Sequence, residues 1–327
     1  MRPTSSPRVG VVSRPDDPSV ALVRRALAAR GAELVALPTD RLPVEAALSI
    51  ALDDGPPAVS LGGVDLRSLR SLWIRHPSLG ELPASLPPEE RDACRGQCEA
   101  ALWAALGCFE GYALDPVEAL LAAPSKPQQA ALARRCGLAT PRTLVTNDPR
   151  AARDFAASCP GGAVCKLVES GSLSLARDGG GARSFPTTLL TDAHLASLDG
   201  LELAPMIFQE LVPKALEARV TVVGRDVFVA AVAPGDVVDV RTEPSLLAAL
   251  RPYEGLPDAV RGGLLRLLDR LGLDFATADL ALTPEGRWVF LEVNTVSFFD
   301  HVEAHAGLPI SAAVAELLLG LRPSRVR

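Results

Sequence analysis

Residues 276–294 read ATADLALTPEGRWVFLEVN, and the rest of the chain is organised around them. Thr283-Pro284-Glu285-Gly286 is a turn signal between two apolar runs. The second run, 287–294, is rich in aromatic and branched residues and reads as a strand. Strict alternation puts Trp288, Phe290, Glu292 and Asn294 on one face, and Val289, Leu291 and Val293 on the other. Pairing Leu282 with Arg287 across the turn sets Asp279 opposite Phe290, diagonal to Glu292 and on its face. Asp279, Glu292 and Asn294 then converge at one end of a hairpin. Hard divalent cations take such oxygen ligands. A carboxylate set among Trp288 and Phe290 costs several kcal/mol unless it is paired or metal-bound. On spacing alone, a hairpin whose polar ends meet water accounts for the same residues.

The chain has 327 residues, long enough for two or three subdomains. Nearly half are apolar and the net charge is −6, which fits a globular protein and argues against nucleic acid as a main partner. No apolar run of membrane-spanning length lacks charges, and the N-terminal residues show no signal-peptide core. None of the six cysteines forms a C-x-x-C pair, and the four histidines form no zinc-like cluster. Mostly buried, reduced thiols in a cytoplasmic protein are expected.

The opening of the chain predicts a β-α-β unit: a strand at 8–13, a helix over 17–31 and a strand at 33–37. Strands at 58–61 and 69–74 extend a parallel sheet, and a helix follows over 87–105. A second stretch begins near Asp115-Pro116. Ser125 is placed to cap a helix over 126–136, ended by Gly137. A proline-bearing edge strand at 140–146, a helix at 150–157 and a strand at 163–168 come next. Residues 169–181 read as a glycine-rich loop and 191–198 as a helix. Strands are expected at 205–213, 216–223, 226–233 and 237–241, then a helix over 258–271, the central hairpin and a final helix over 310–321.

There are three lysines, Lys126, Lys166 and Lys214, against thirty arginines. In so arginine-rich a chain, a retained lysine marks a position where a compact ammonium serves better than a planar guanidinium. Lys166 lies in an apolar strand just before the glycine-rich loop, where its ammonium suits a phosphate oxygen. A side chain reaching water from an edge strand is the plainer account. Arg219 and Arg241 fall in strands predicted to join the sheet of the central hairpin. There they suit a transferred phosphoryl group or a carboxylate, or else pair with exposed acids.

In combination these residues resemble the ATP-grasp ligases. The matching motifs are Trp73 to Pro77, Lys126-x-x-Gln129, Gly137-Leu138 with Pro141, Lys166, Phe208-Gln209-Glu210, Glu217-x-Arg219, Asp239-x-Arg241, Asp279 and Glu292-x-Asn294. The set is most similar to the microviridin, or graspetide, type of peptide maturase. The resemblance implies an α/β (α+β) ATP-grasp fold with an N-terminal pre-ATP-grasp lobe. It divides the chain at 1–120, 121–208 and 209–327, the middle part carrying the phosphate loop and the last the magnesium site. It implies ATP and Mg2+ as cofactors. Asp279, Glu292 and Asn294 become the magnesium ligands, and Lys126 and Lys166 hold the nucleotide phosphates and flank the adenine. Glu210, Leu211 and Val212 face the adenine, Glu217 the ribose, and Arg219 and Arg241 the reacting groups.

The activity so implied is an ADP-forming ligation. A carboxylate becomes an acyl phosphate and is joined to an amine or hydroxyl, as ester or amide crosslinks of a ribosomally made precursor peptide. A small amino-acid or carrier-protein substrate is the alternative, and a nucleotide-binding regulator without turnover the more distant one. A homodimer is left open as the assembly. Two departures stand out. After Asn294 the family continues with Pro and a Gly-Gln-Trp block, whereas this chain reads Thr295-Val296-Ser297-Phe298-Phe299-Asp300. His76 replaces the second Arg of the Trp-x-Arg-Arg-Pro block. The first departure bears on substrate, not on nucleotide binding.

Overall fold

Branched residues in Arg8–Val12 (β1) and Glu33–Ala36 (β2) flank the helix Pro18–Ala28 (α1), whose first turn is capped by the Asp17 carboxylate accepting from the amides of Ser19 and Val20. Leu48–Ala51 (β3), Ala58–Leu61 (β4) and Val64–Asp65 (β5) form a small antiparallel sheet that the sequence pattern shows only in part. Ser71–Ile74 (β6), the helix Pro88–Gly107 (α2) and Tyr112–Leu114 (β7) complete a parallel sheet in the order β2-β1-β6-β7. The computed structural model describes residues 6–123, 125–168, 187–235, 237–238, 240 and 243–325.

Val117–Ala122 (α3) and Lys126–Arg135 (α4) lead into a second sheet. It comprises Thr143–Thr146 (β8), Ala163–Lys166 (β9), Thr188–Leu189 (β10) and Met206–Glu210 (β11), in the order β10-β9-β11-β8. Pro149–Ala157 (α5) covers it through Ala152 and Phe155 against Leu144 and Phe208, and Asp192–Ala196 (α6) lies in the connection. β8 is an edge strand, as expected, and begins at Thr143, so Pro141 lies just before it and not within it.

The third sheet runs β14-β13-β12-β15-β16, all antiparallel. Its strands are Leu216–Val223 (β12), Asp226–Val232 (β13), Arg251–Pro252 (β14), Phe275–Leu282 (β15) and Trp288–Asn294 (β16). The helices Pro244–Ala248 (α7), Asp258–Leu271 (α8), Asp300–Ala306 (α9) and Ile310–Leu318 (α10) interleave with it. Leu264, Leu267 and Leu268 of α8 bury against Ala276, Ala278, Leu280 and Phe290. Val314 and Leu317 of α10 share a core with Val23 and Leu27 of α1, joining this sheet to the first lobe.

Four expectations need correction. The strand at 58–61 does not extend the parallel sheet but sits in the separate antiparallel sheet, between β3 and β5. Ser125 stands at the N-cap of α4 but its side chain makes no capping bond. The strand expected at 237–241 is absent among the described residues of that stretch, and Asp239 and Arg241 lie outside them. Of the six free cysteines only Cys136 and Cys159 are buried, and Cys94 is exposed. The glycine-rich loop expected at 169–181 also falls outside the described residues. No helix among the described residues is long and apolar enough to cross a membrane.

Candidate active site

The turn of the central hairpin forms as its residues dictate: Gly286 takes a φ of 83°, and its amide donates to the Thr283 carbonyl at 2.9 Å. The pairing beyond it does not follow the simple alternation. Leu282 pairs with Trp288, not Arg287, and Leu280 with Phe290. The register then shifts, so that Asp279 pairs directly with Glu292 and Thr277 with Asn294. Leu291 is the extra residue of a bulge. Inserting one residue inverts the phase of everything beyond it. Trp288 and Phe290 therefore face the helix-covered core with Val293, while Leu291 joins Val212, Ala281 and Val289. Glu292 is thus not set among the aromatic rings.

Glu292 and Asp279 both line a cleft of about 960 Å³ of empty space between the second and third sheets. Val164 and Lys166 of β9 and Gln209 and Glu210 of β11 contribute one side, followed by Leu211 and Val212. Glu217 and Arg219 of β12, Asp279 of β15 and Leu291 and Glu292 of β16 contribute the other, with Lys126 reaching in from the start of α4. Glu217 and Arg219 share a face because they are two residues apart on β12, and Arg219 pairs with Asp279 across to β15.

Cations and carboxylates alternate across the floor. Lys126 Nζ lies 3.4 Å from a Glu292 oxygen, and Arg219 Nη1 donates to Asp279 at 3.4 Å. Asn294 Nδ2 donates to Asp279 Oδ2 and to Glu292 Oε1, both at 3.3 Å. Nine of the eleven residues singled out from the sequence line this cleft, and Asn294 is tied to two of them. Arg241 lies outside the described residues.

The set fits a magnesium ion by its chemistry. No group of three or more His, Cys, Asp or Glu side chains suited to a metal occurs among the described residues. Two carboxylates and one amide oxygen do occur, and magnesium is ordinarily held by one or two carboxylates together with substrate phosphates.

Three contributors escaped the sequence reading of roles. Lys214 lines the cleft, and its ammonium donates to Glu217 at 2.5 Å and to the Val238 carbonyl at 2.7 Å. The scarcity of lysine was the signal that could have found it. Gln129, 1% exposed, uses its amide like a strand on the outer edge of β16, beyond the point where the Phe290 amide donates to the Ala139 carbonyl. It accepts from the Val293 amide at 2.9 Å, and donates to the Val293 carbonyl at 2.8 Å and the Ala123 carbonyl at 2.6 Å. Val293 stands between Glu292 and Asn294, so Gln129 holds their backbone from one turn beyond Lys126. Ser297, whose hydroxyl accepts from Arg219 Nη2, carried no motif signal.

A cleft between two antiparallel sheets, with Lys166 and Glu210 on one side and Arg219, Asp279 and Glu292 on the other, is the arrangement expected of an ATP-grasp ligase. Residues 11–120 match the MvdD pre-ATP grasp domain. No curated protein sequence matches the chain. Among solved structures, the macrocyclase MdnC bound with precursor peptide MdnA, from Microcystis aeruginosa, is 30% identical with a TM-score of 0.81, over 96% of this chain and 99% of that one. A Chryseobacterium gregarium RiPP-associated ATP-grasp ligase, in complex with ADP and a leader and core peptide, is 25% identical with a TM-score of 0.86, covering 98% of each chain. The ligase PsnB, complexed with a variant precursor, Mg and ADP, is 26% identical with a TM-score of 0.75, over 96% of this chain and 98% of that one. This chain belongs to the ATP-grasp ligases, within the group of RiPP-associated macrocyclases.

Proposed function

We propose that the protein crosslinks a ribosomally made precursor peptide, using ATP and Mg2+ to turn an Asp or Glu side chain into an acyl phosphate that a Ser, Thr or Lys side chain then attacks. The observation that carries this reading is the meeting of Asp279, Glu292 and Asn294 with Lys126 and Arg219 on the floor of one cleft. Relatives of this chain hold precursor peptides, ADP and Mg, which supports the same ligands here.

Asp279, Glu292 and Asn294 would hold the magnesium, which supplies neutralisation of phosphate charge. Lys126 and Lys166 would bind phosphate oxygens from opposite walls. The adenine would lie against Leu291 and the strand end at Glu210, Leu211 and Val212, and the ribose hydroxyls would meet Glu217. A free carboxylate is too poor an electrophile for attack by a hydroxyl or amine, so the γ-phosphoryl must pass to it first. Arg219, with Arg241, would stabilise charge on the transferring group and then on the tetrahedral intermediate. The division at about 120 and about 208 belongs to this proposal. Each part carries at least one sheet of its own, which supports this division, and β11 runs two residues past the second boundary.

The test is incubation with ATP, magnesium and a precursor peptide rich in Thr or Ser and Asp or Glu, followed by nucleotide separation and peptide mass. Peptide-dependent ADP with loss of one water per crosslink is the expected result. Peptide-dependent AMP would overturn the acyl-phosphate route.

A further inference from the structure

Residues 295–299 leave β16 and pack against the N-terminal lobe, which among the described residues contributes none to the cleft. That lobe nevertheless grips them. The ring of His76 stacks on Phe298 at 4.9 Å. The Phe299 amide donates to Ser19 Oγ at 3.1 Å. Just before these two anchors, Arg75 Nη2 donates to the Ser297 carbonyl at 3.2 Å. Arg75 is 1% exposed and is itself fixed by Asp17, to which its Nε donates at 2.6 Å.

The hydroxyl of the same Ser297 turns the other way, toward the cleft, and accepts from Arg219 Nη2. Arg219 Nη1 meanwhile reaches Asp279 at 3.4 Å, and its Nε has no partner among the described residues. An unbroken line of contacts therefore runs Asp17, Arg75, Ser297, Arg219, Asp279. A long arginine side chain loses precision unless its head is fixed from more than one side. A serine hydroxyl supplies the second fixed point without cancelling the positive charge, as another carboxylate would.

We propose that Ser297 is a positioning residue that aims Arg219, and that the N-terminal lobe sets its place through Arg75. This rests on the reading of Arg219 as a catalytic residue. It also gives a task to the stretch in which the chain departs from its family's Pro and Gly-Gln-Trp block.

Single-turnover ADP formation with precursor peptide would be compared for the full chain and for Ser297→Ala, Ser297→Thr, Arg219→Ala and the Ser297→Ala/Arg219→Ala pair. Ser297→Ala is expected to slow the step roughly ten- to hundredfold, the factor for losing a hydrogen bond to a charged group, with nucleotide affinity unchanged. Ser297→Thr, which keeps the hydroxyl, is expected to retain most of the rate. Ser297→Ala is expected to add nothing to Arg219→Ala, a non-additivity that general loosening of the fold would not produce. Ser297→Cys, close in volume but a weak acceptor, serves in place of an alanine variant that does not fold. Full rate in Ser297→Ala beside a crippled Arg219→Ala would overturn the positioning role alone, as would losses that simply multiply. Full rate in Arg219→Ala would remove its catalytic role and this inference together.

Discussion

Asp279 and Glu292 face each other directly across β15 and β16, because a bulge at Leu291 carries Glu292 to the opposite side of the strand from Phe290. Two carboxylates opposed in this way repel each other unless cations lie between or beside them. Lys126 and Arg219 flank the pair at 3.4 Å each. Glu292→Gln keeps the shape and removes one charge. ADP formation should fall by at least tenfold and its magnesium requirement should rise, as a magnesium titration of turnover would show. An unchanged magnesium midpoint at full rate would exclude Glu292 as a ligand.

The same bulge leaves Leu291 in the cleft, against Val212 and Val289. Leu291→Ala removes apolar surface that would cover the adenine. Nucleotide affinity should drop roughly ten- to fiftyfold, at about 0.8 kcal/mol for each of the three carbons removed, while the rate at saturating ATP stays near that of the parent. Calorimetric titration with ADP decides it, and an unchanged Kd would move the adenine elsewhere.

Gln129→Ala should act mainly on stability. It strips partners from the Val293 amide and carbonyl and from the Ala123 carbonyl, all buried. Unsatisfied groups of this kind cost about 1–3 kcal/mol each, with water entering the gap lowering the sum. Denaturant unfolding should show a loss of roughly 2–4 kcal/mol. Gln129→Glu keeps the acceptor for the Val293 amide but turns an acceptor oxygen toward the Val293 and Ala123 carbonyls, so it should lose at least as much.

A pH dependence follows from His76. Burial pushes its pKa from 6.5 down to about 4, with the adjacent Arg75 and Arg14 charges adding to this and Asp17 and the Val296 carbonyl opposing it. The unfolded chain therefore binds the extra proton between pH 6.5 and about 4, so stability falls as pH drops through that window and levels off below it. The full effect is at most about 3.5 kcal/mol, at about 1.4 kcal/mol per unit. Asp17 adds to the loss at lower pH. Burial raises its pKa, but the Arg75 charge and hydrogen bonds from Arg75 and Ser13 leave it below the usual value. Its contribution is lost only as pH falls through that lowered pKa. Unfolding midpoints from pH 7 to pH 4 should fall less in His76→Gln than in the parent, and parallel curves would contradict the assignment.

Sequence alone determined the longer helices and strands, but not β3, β5, β7, β10, β14, α3, α7 or α9, and it grouped most of the residues that line the cleft. Branched and aromatic runs specify strands through local sterics, and Gly286, Gly137 and Pro141 mark turns and ends through backbone constraints that act within a few residues. Asp279, Glu292 and Asn294 were legible as a group because hairpin neighbours stay close in space. Lys166 stood out because ammonium is rare in this chain.

Only the tertiary structure decided the face on which Glu292 lies. A bulge is a response to packing on both sides of a sheet, with α8 claiming Phe290 and Val293 while the cleft takes Leu291 and Glu292. Period-two alternation carries no trace of it. Likewise Arg75 and Arg219 are 144 residues apart in number, and nothing local joins them to Ser297. Their meeting depends on how the first lobe docks against the last sheet through α1 and α10, a sum of many weak apolar contacts between distant segments.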